Sequence, residues 1–113
     1  MTSEEQIEQV ELTIKQAKEA KALMDSVLKL QKNKDFKAVI NEGYFEKQAS
    51  RLVLLKADPS MQDEQSQKEL DNSIIAVGYL RQYLSTLVQL GRRAEMDILS
   101  AEEAREEILV EAA

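Results

Sequence analysis

The chain has no cysteine, no histidine and no tryptophan, only one proline and three glycines, and aromatic residues make up just 4% of it. Each shortage excludes something. Without cysteine there is no disulfide framework and no thiolate nucleophile, and without histidine there is no imidazole metal ligand and no imidazole base. No apolar run approaches the roughly 20 residues that a membrane-spanning helix requires. The opening MTSEEQIEQV is acidic and lacks the charged-then-apolar pattern of a signal peptide. The expectation is a protein that is soluble and intracellular, or part of a soluble particle, with no membrane partner.

What is present favours helix. Over 113 residues the chain is 43% hydrophobic and 32% charged. It is rich in Ala, Leu, Glu, Lys and Gln, residues that lose little on entering a helix. Leu70, Ile74, Val77, Leu80 or Arg81, Leu84, Leu87 and Gly91 recur every three or four positions, the stripe of a long amphipathic helix around which the rest is organised. The fold class expected is all-α: an antiparallel helical bundle of three main helices plus a short C-terminal helix, forming one domain over residues 1–113.

Four helices follow from local signals, over residues 3–32, 35–57, 60–97 and 100–111. Ser3 and Gln6 match a capping box, and Glu4 and Glu5 sit where the helix dipole favours negative charge. Ile7, Val10, Ile14, Ala17, Met24 and Leu28 follow a seven-residue pattern broken by Lys21, while Ala20, Leu23 and Val27 offer a neighbouring phase. Asn33 is a candidate left-handed cap, and Asp35 an N-cap for the second helix. Gly43 interrupts that helix, as a kink or as a stop. Pro59 ends it, and Ser60 caps the third. Gly78 lies inside the third helix, where it predicts a close approach by a neighbour. Ser100 to Glu103 is a second capping-box match. The core is expected from Phe36, Ile40, Phe45, Leu52, Ile74, Val77, Leu84 and Leu87.

Charge is unevenly spread: residues 1–32, 33–58 and 59–113 carry net −1, +1 and −6. Glu102, Glu103, Glu106, Glu107 and Glu111 make the C-terminal end an acidic patch, read either as a solvated face or as a contact for a basic surface. Glu102 and Glu106 stand one helical turn apart, close enough to share a metal or a proton, yet an exposed terminal helix without histidine favours plain solvation. DPSMQDEQSQKE lacks the alternating oxygen ligands and central glycine of a calcium loop. Arg92 and Arg93 read as dipole-compensating cations rather than a phosphate grip. Tyr79 and Tyr83, one turn apart with no accompanying base, read as packing or interface residues. No catalytic, cofactor-binding or metal-binding set emerges. The overall net charge of −6 disfavours direct nucleic-acid binding.

In the stretch NKDFKAVINEGYFEKQASRLVLLKADP, from Asn33 to Pro59, and again in GYLRQYLSTLVQLGRRAE from Gly78, the chain resembles small uncharacterised helical proteins encoded by tailed bacteriophages. The resemblance implies a phage context and transfers no active-site residue. Together with the long amphipathic helices, it leads to the expectation of a non-enzymatic structural or assembly protein of a phage particle. Its partners would be other phage structural proteins or further copies of itself. The interface is expected at Tyr79, Tyr83, Glu102, Glu103, Glu106 and Glu107. The alternative expectation is a small acidic phage regulator that binds a basic surface of a host protein.

Overall fold

The computed structural model describes residues 1–113, and 93% of them are helical, with no strand. Helix α1 spans Ser3–Lys32, α2 is a single turn over Lys34–Phe36, α3 spans Ala49–Lys56 and α4 spans Glu64–Ala112. Between α2 and α3 lies a π-helical stretch, Lys37–Gln48, in which the hydrogen bonds reach five residues back. The helical path therefore runs through Gly43 without stopping. The wider π turn has a visible cause in the sequence. Phe36, Ile40, Phe45 and Ala49 are half-buried and spaced by four or five residues, wider than an α-helical stripe, so extra residues per turn keep them on one side.

The helix ends differ from the sequence expectations by a few residues each. At the first, Thr2 rather than Ser3 is the cap: its hydroxyl accepts from the Glu5 amide at 3.2 Å, and its own amide donates to the Glu5 carboxylate at 3.4 Å. Asn33 is not left-handed. Its backbone is extended (φ −72°, ψ 128°), and its side-chain oxygen accepts from the Phe36 amide at 2.9 Å. Asn33 thus takes the N-cap role expected of Asp35. Ser60 belongs to a 3-10 turn, Pro59–Met61, capped by Asp58, and it is Asp63 that caps α4 by accepting from the Ser66 amide at 2.9 Å.

The largest correction concerns the break expected between residues 97 and 100. Helix α4 passes straight through Ser100. Neither Gly nor Pro follows Gly91, and Ala94, Ile98, Ala101 and Ile108 carry the buried seam onward, so nothing there ends the helix.

The chain packs as two compact units. Unit 1 comprises Met1–Leu28 and Thr86–Ala113. In it α1 and the later part of α4 run antiparallel, since Met24 meets Gly91 while Val10 and Thr13 lie beside Ala101. Its interior pairs long or branched side chains of α1 (Ile14, Met24, Val27) with small residues of α4 (Gly91, Ala94, Ala101). Lys21 leaves the seam and pairs with Asp25 at 3.2 Å.

Unit 2 comprises Lys29–Ser85. There Leu52, Leu70 and Val77 form the buried cluster, with Tyr44, Phe45, Ala49, Leu55, Met61 and Ile74 packed against it. Two of the core residues expected from the sequence, Leu52 and Val77, are buried. The other six are half-buried. The connection between α3 and α4 is tied by side-chain amides. Gln62 donates to the carbonyls of Lys56 (2.9 Å) and Asp58 (2.7 Å), and Gln67 to those of Lys56 (3.0 Å) and Met61 (2.8 Å). The bonds to the Lys56 carbonyl satisfy an acceptor left open at the end of α3, and those to Asp58 and Met61 tie down the connection itself. Lys56 also pairs with Asp71 across the turn.

Glycine plays a different part from the one expected. A Cβ on Gly78 would meet nothing within 4 Å, so no neighbouring helix comes close there. The close approach is at Gly91 instead, where a Cβ would collide with the Cβ of Met24.

Candidate protein interface

Tyr79 and Tyr83 are 67% and 58% exposed, and Ile75, one turn earlier, is exposed as well. At spacings of four residues the three line up along one side of α4. The buried Leu70 and Val77 and the half-buried Leu84 lie on the other side. Unit 2 exposes further apolar side chains at Val39 on the π-helical stretch and at Val53 and Leu54 on α3. Val39, Ile40, Gly43, Tyr44 and Gln48 shape a shallow surface groove on that stretch. Its origin is the π turn, which carries Val39 out of the packed face while Ile40 stays half-buried.

The acidic candidates lie in unit 1. Glu102, Glu103, Glu106 and Glu107 are all exposed. Glu103, Glu106 and Glu107 are brought together with Val110 and Glu111 around one surface groove, which Glu102 does not line. No three carboxylates of the chain converge as metal ligands would. Helical spacing puts Met96, Leu99, Glu103 and Val110 on the side of α4 away from Ala94 and Ala101, and all four are exposed. This outer face is therefore apolar at intervals and acidic in between.

One cationic feature was not legible as a group in the sequence. Lys15, Lys18 and Arg105 come together with Ile14 and Ala22 at a groove of about 480 Å³ between α1 and α4 of unit 1. Arg105 stands seven residues after Ile98, on the buried seam, and is half-buried. The signal that could have found it was this register: an arginine where the seam calls for an apolar residue.

The two perturbed carboxylates of the chain sit at the turn between α3 and α4. The Ser60 hydroxyl, then the Ser60 amide, hold the Asp58 carboxyl below its usual value. Ser66 does the same to Asp63, through its hydroxyl and its amide. Hydrogen bonds to the charged form favour that form. Both groups are caps that accept these bonds, which accounts for their shifts structurally.

These surfaces offer apolar area edged with charge. Fifteen large apolar side chains are exposed while nine apolar residues are buried, and none of the nine falls below 3% exposure. Set against models of known protein families, curated proteins and solved structures, the chain matches none.

Proposed function

We propose that this protein is a non-enzymatic structural or assembly protein of a bacteriophage particle, acting through helix-mediated protein–protein contacts. The observation that carries the contact role is the balance of apolar surface: stripes such as Ile75, Tyr79 and Tyr83 face outward on a frame with little buried interior. Exposed apolar area of this kind marks a surface that is covered by a partner. In this reading a partner helix, from another particle protein or from another copy, completes an antiparallel bundle that one chain only begins. The phage context rests on the sequence resemblance at residues 33–59 and 78–95.

A second reading has one observation in its favour. The groove shaped by Glu103, Glu106, Glu107, Val110 and Glu111 offers carboxylates around an exposed apolar side chain, which suits a basic protein surface. In that case the chain is a small acidic regulator of a host protein, and its binding weakens steeply with salt.

Quantitative mass spectrometry of purified particles, set beside the infected-cell lysate, separates the two. A fixed ratio to the capsid or portal protein in particles is the expected result. Absence from particles with abundance in the lysate overturns the assembly role in favour of the regulator.

A further inference from the structure

The geometry points to a second copy of this chain as the occupant of the cationic groove of unit 1, docked there by the acidic outer face of its own α4. The inference rests on the assembly reading above and names its partner.

The groove has the chemistry of a receptor for an acidic helix. Ala22 provides exposed apolar contact beside the buried Ile14, and Lys15, Lys18 and Arg105 surround it. The two ion pairs of the chain, Lys21 with Asp25 and Lys56 with Asp71, involve none of these three cations. Glu11 and Glu19 also line the groove without closing an ion pair on them, so an excess of positive charge remains. Unit 1 is otherwise strongly acidic, so this groove is where a like copy is attracted instead of repelled.

The outer face of α4 supplies the counterpart. Met96, Leu99 and Val110 are 65%, 58% and 71% exposed, and Glu103, Glu106 and Glu107 lie among them. Apolar residues on this face meet Ala22 and the aliphatic stems of Lys15 and Lys18 of a neighbouring copy, and its carboxylates meet the charged ends of Lys15, Lys18 and Arg105. Donor and acceptor are different surfaces of one chain. The contact is therefore heterologous, and each docked copy still offers a free face and a free groove, so association continues into a ring or a filament.

Complementary charge reversals test this. One variant, K15E/K18E, reverses the groove, and another, E103K/E106K/E107K, reverses the acidic face. All five positions are exposed, so both variants fold, which circular dichroism checks. Sedimentation velocity on the full chain at low salt is expected to show wild-type protein growing in size with concentration. Each variant alone should associate at least tenfold more weakly, because its groove and its face then carry the same sign of charge. In an equimolar mixture the K15E/K18E chain presents a native acidic face to the native groove of the E103K/E106K/E107K chain. Its own reversed groove, now acidic, receives the reversed, basic face of the other variant. Both junctions are complementary, so alternating copies restore association to near the wild-type level. Wild-type protein that stays monomeric, or a mixture no larger than its components, overturns the inference. A chain that is monomeric when pure yet present in particles sinks the self-association and leaves the assembly role standing.

Discussion

Met24 and Gly91 touch at the centre of unit 1, with the missing side chain of one making room for the whole side chain of the other. A Cβ at position 91 would collide with the Met24 Cβ and lie 2.8 Å from its sulfur. Rotating the methionine relieves the contact with sulfur but not the contact with Cβ, which is fixed to the backbone. Gly91→Ala therefore forces the helices apart. A loss of about 1–3 kcal/mol is expected from overpacking, only partly offset by the better helix propensity of alanine. Gly78→Ala is the control, since its Cβ meets nothing within 4 Å. That variant should gain roughly 0.5–1 kcal/mol. Urea denaturation followed by circular dichroism measures both, and a Gly91→Ala variant as stable as the Gly78→Ala one would refute the close approach.

In unit 2 the side chain with most to lose is Leu52, which is 4% exposed and packs with Leu70 and Val77. Leu52→Ala should cost about 2–3 kcal/mol, the low end for a buried leucine, because half-buried neighbours can relax into the space. Leu54→Ala, two residues on at 73% exposure, should stay within roughly 0.5 kcal/mol of wild type. Equal effects in thermal unfolding would mean that the register of α3 is wrong.

The turn between α3 and α4 should respond to acid before the helices do. Hydrogen bonds from Ser60 and Ser66 lower Asp58 and Asp63 below the usual 3.8. A lowered carboxyl stabilises the fold above its unfolded value, and that contribution is lost as pH falls through the folded value. Protection of the Ser60 and Ser66 amides, measured as exchange relative to the free-peptide rate at each pH, should therefore fall below the usual carboxylate range. Asp63→Ala should remove the protection at Ser66 at neutral pH and abolish its further loss in acid. Protection that does not change with pH at either serine would contradict the capping geometry.

Tyr79 and Tyr83 should matter to a partner and not to the fold. Both are more than half exposed and neither belongs to the buried cluster. Replacing both by serine should leave the unfolding midpoint in urea nearly unchanged and reduce incorporation into particles severalfold, read by mass spectrometry. Undiminished incorporation would remove this stripe from the interface.

How much could be read in advance depended on how many local signals competed at each place. The all-α class followed from composition, and the seam from Leu70 to Gly91 from its period. The caps were harder, because Thr2 and Ser3, Asn33 and Asp35, or Ser60 and Asp63 are all able to cap, and the hydrogen bond that forms decides among near neighbours. Ser100 and Glu103 match a helix start, yet the same residues sit comfortably inside a helix when the apolar seam on either side is unbroken. Gly78 and Gly91 look alike in the sequence. Only the opposing Met24, far away along the chain, distinguishes them. Arg105 was likewise visible only as a single charge until α1 brought Lys15 and Lys18 beside it.

The burial of Met24 also gives the molecule a chemical memory. Met96, at 65% exposure, is open to peroxide at all times, whereas Met24, at 4%, can be oxidised only while α1 and α4 are apart. A sulfoxide oxygen added to a sulfur that already fills the space over Gly91 has no room and no polar partner there. An opening that lasts long enough for oxidation is thereby prevented from closing again, and momentary fraying becomes lasting damage until a reductase reverses it.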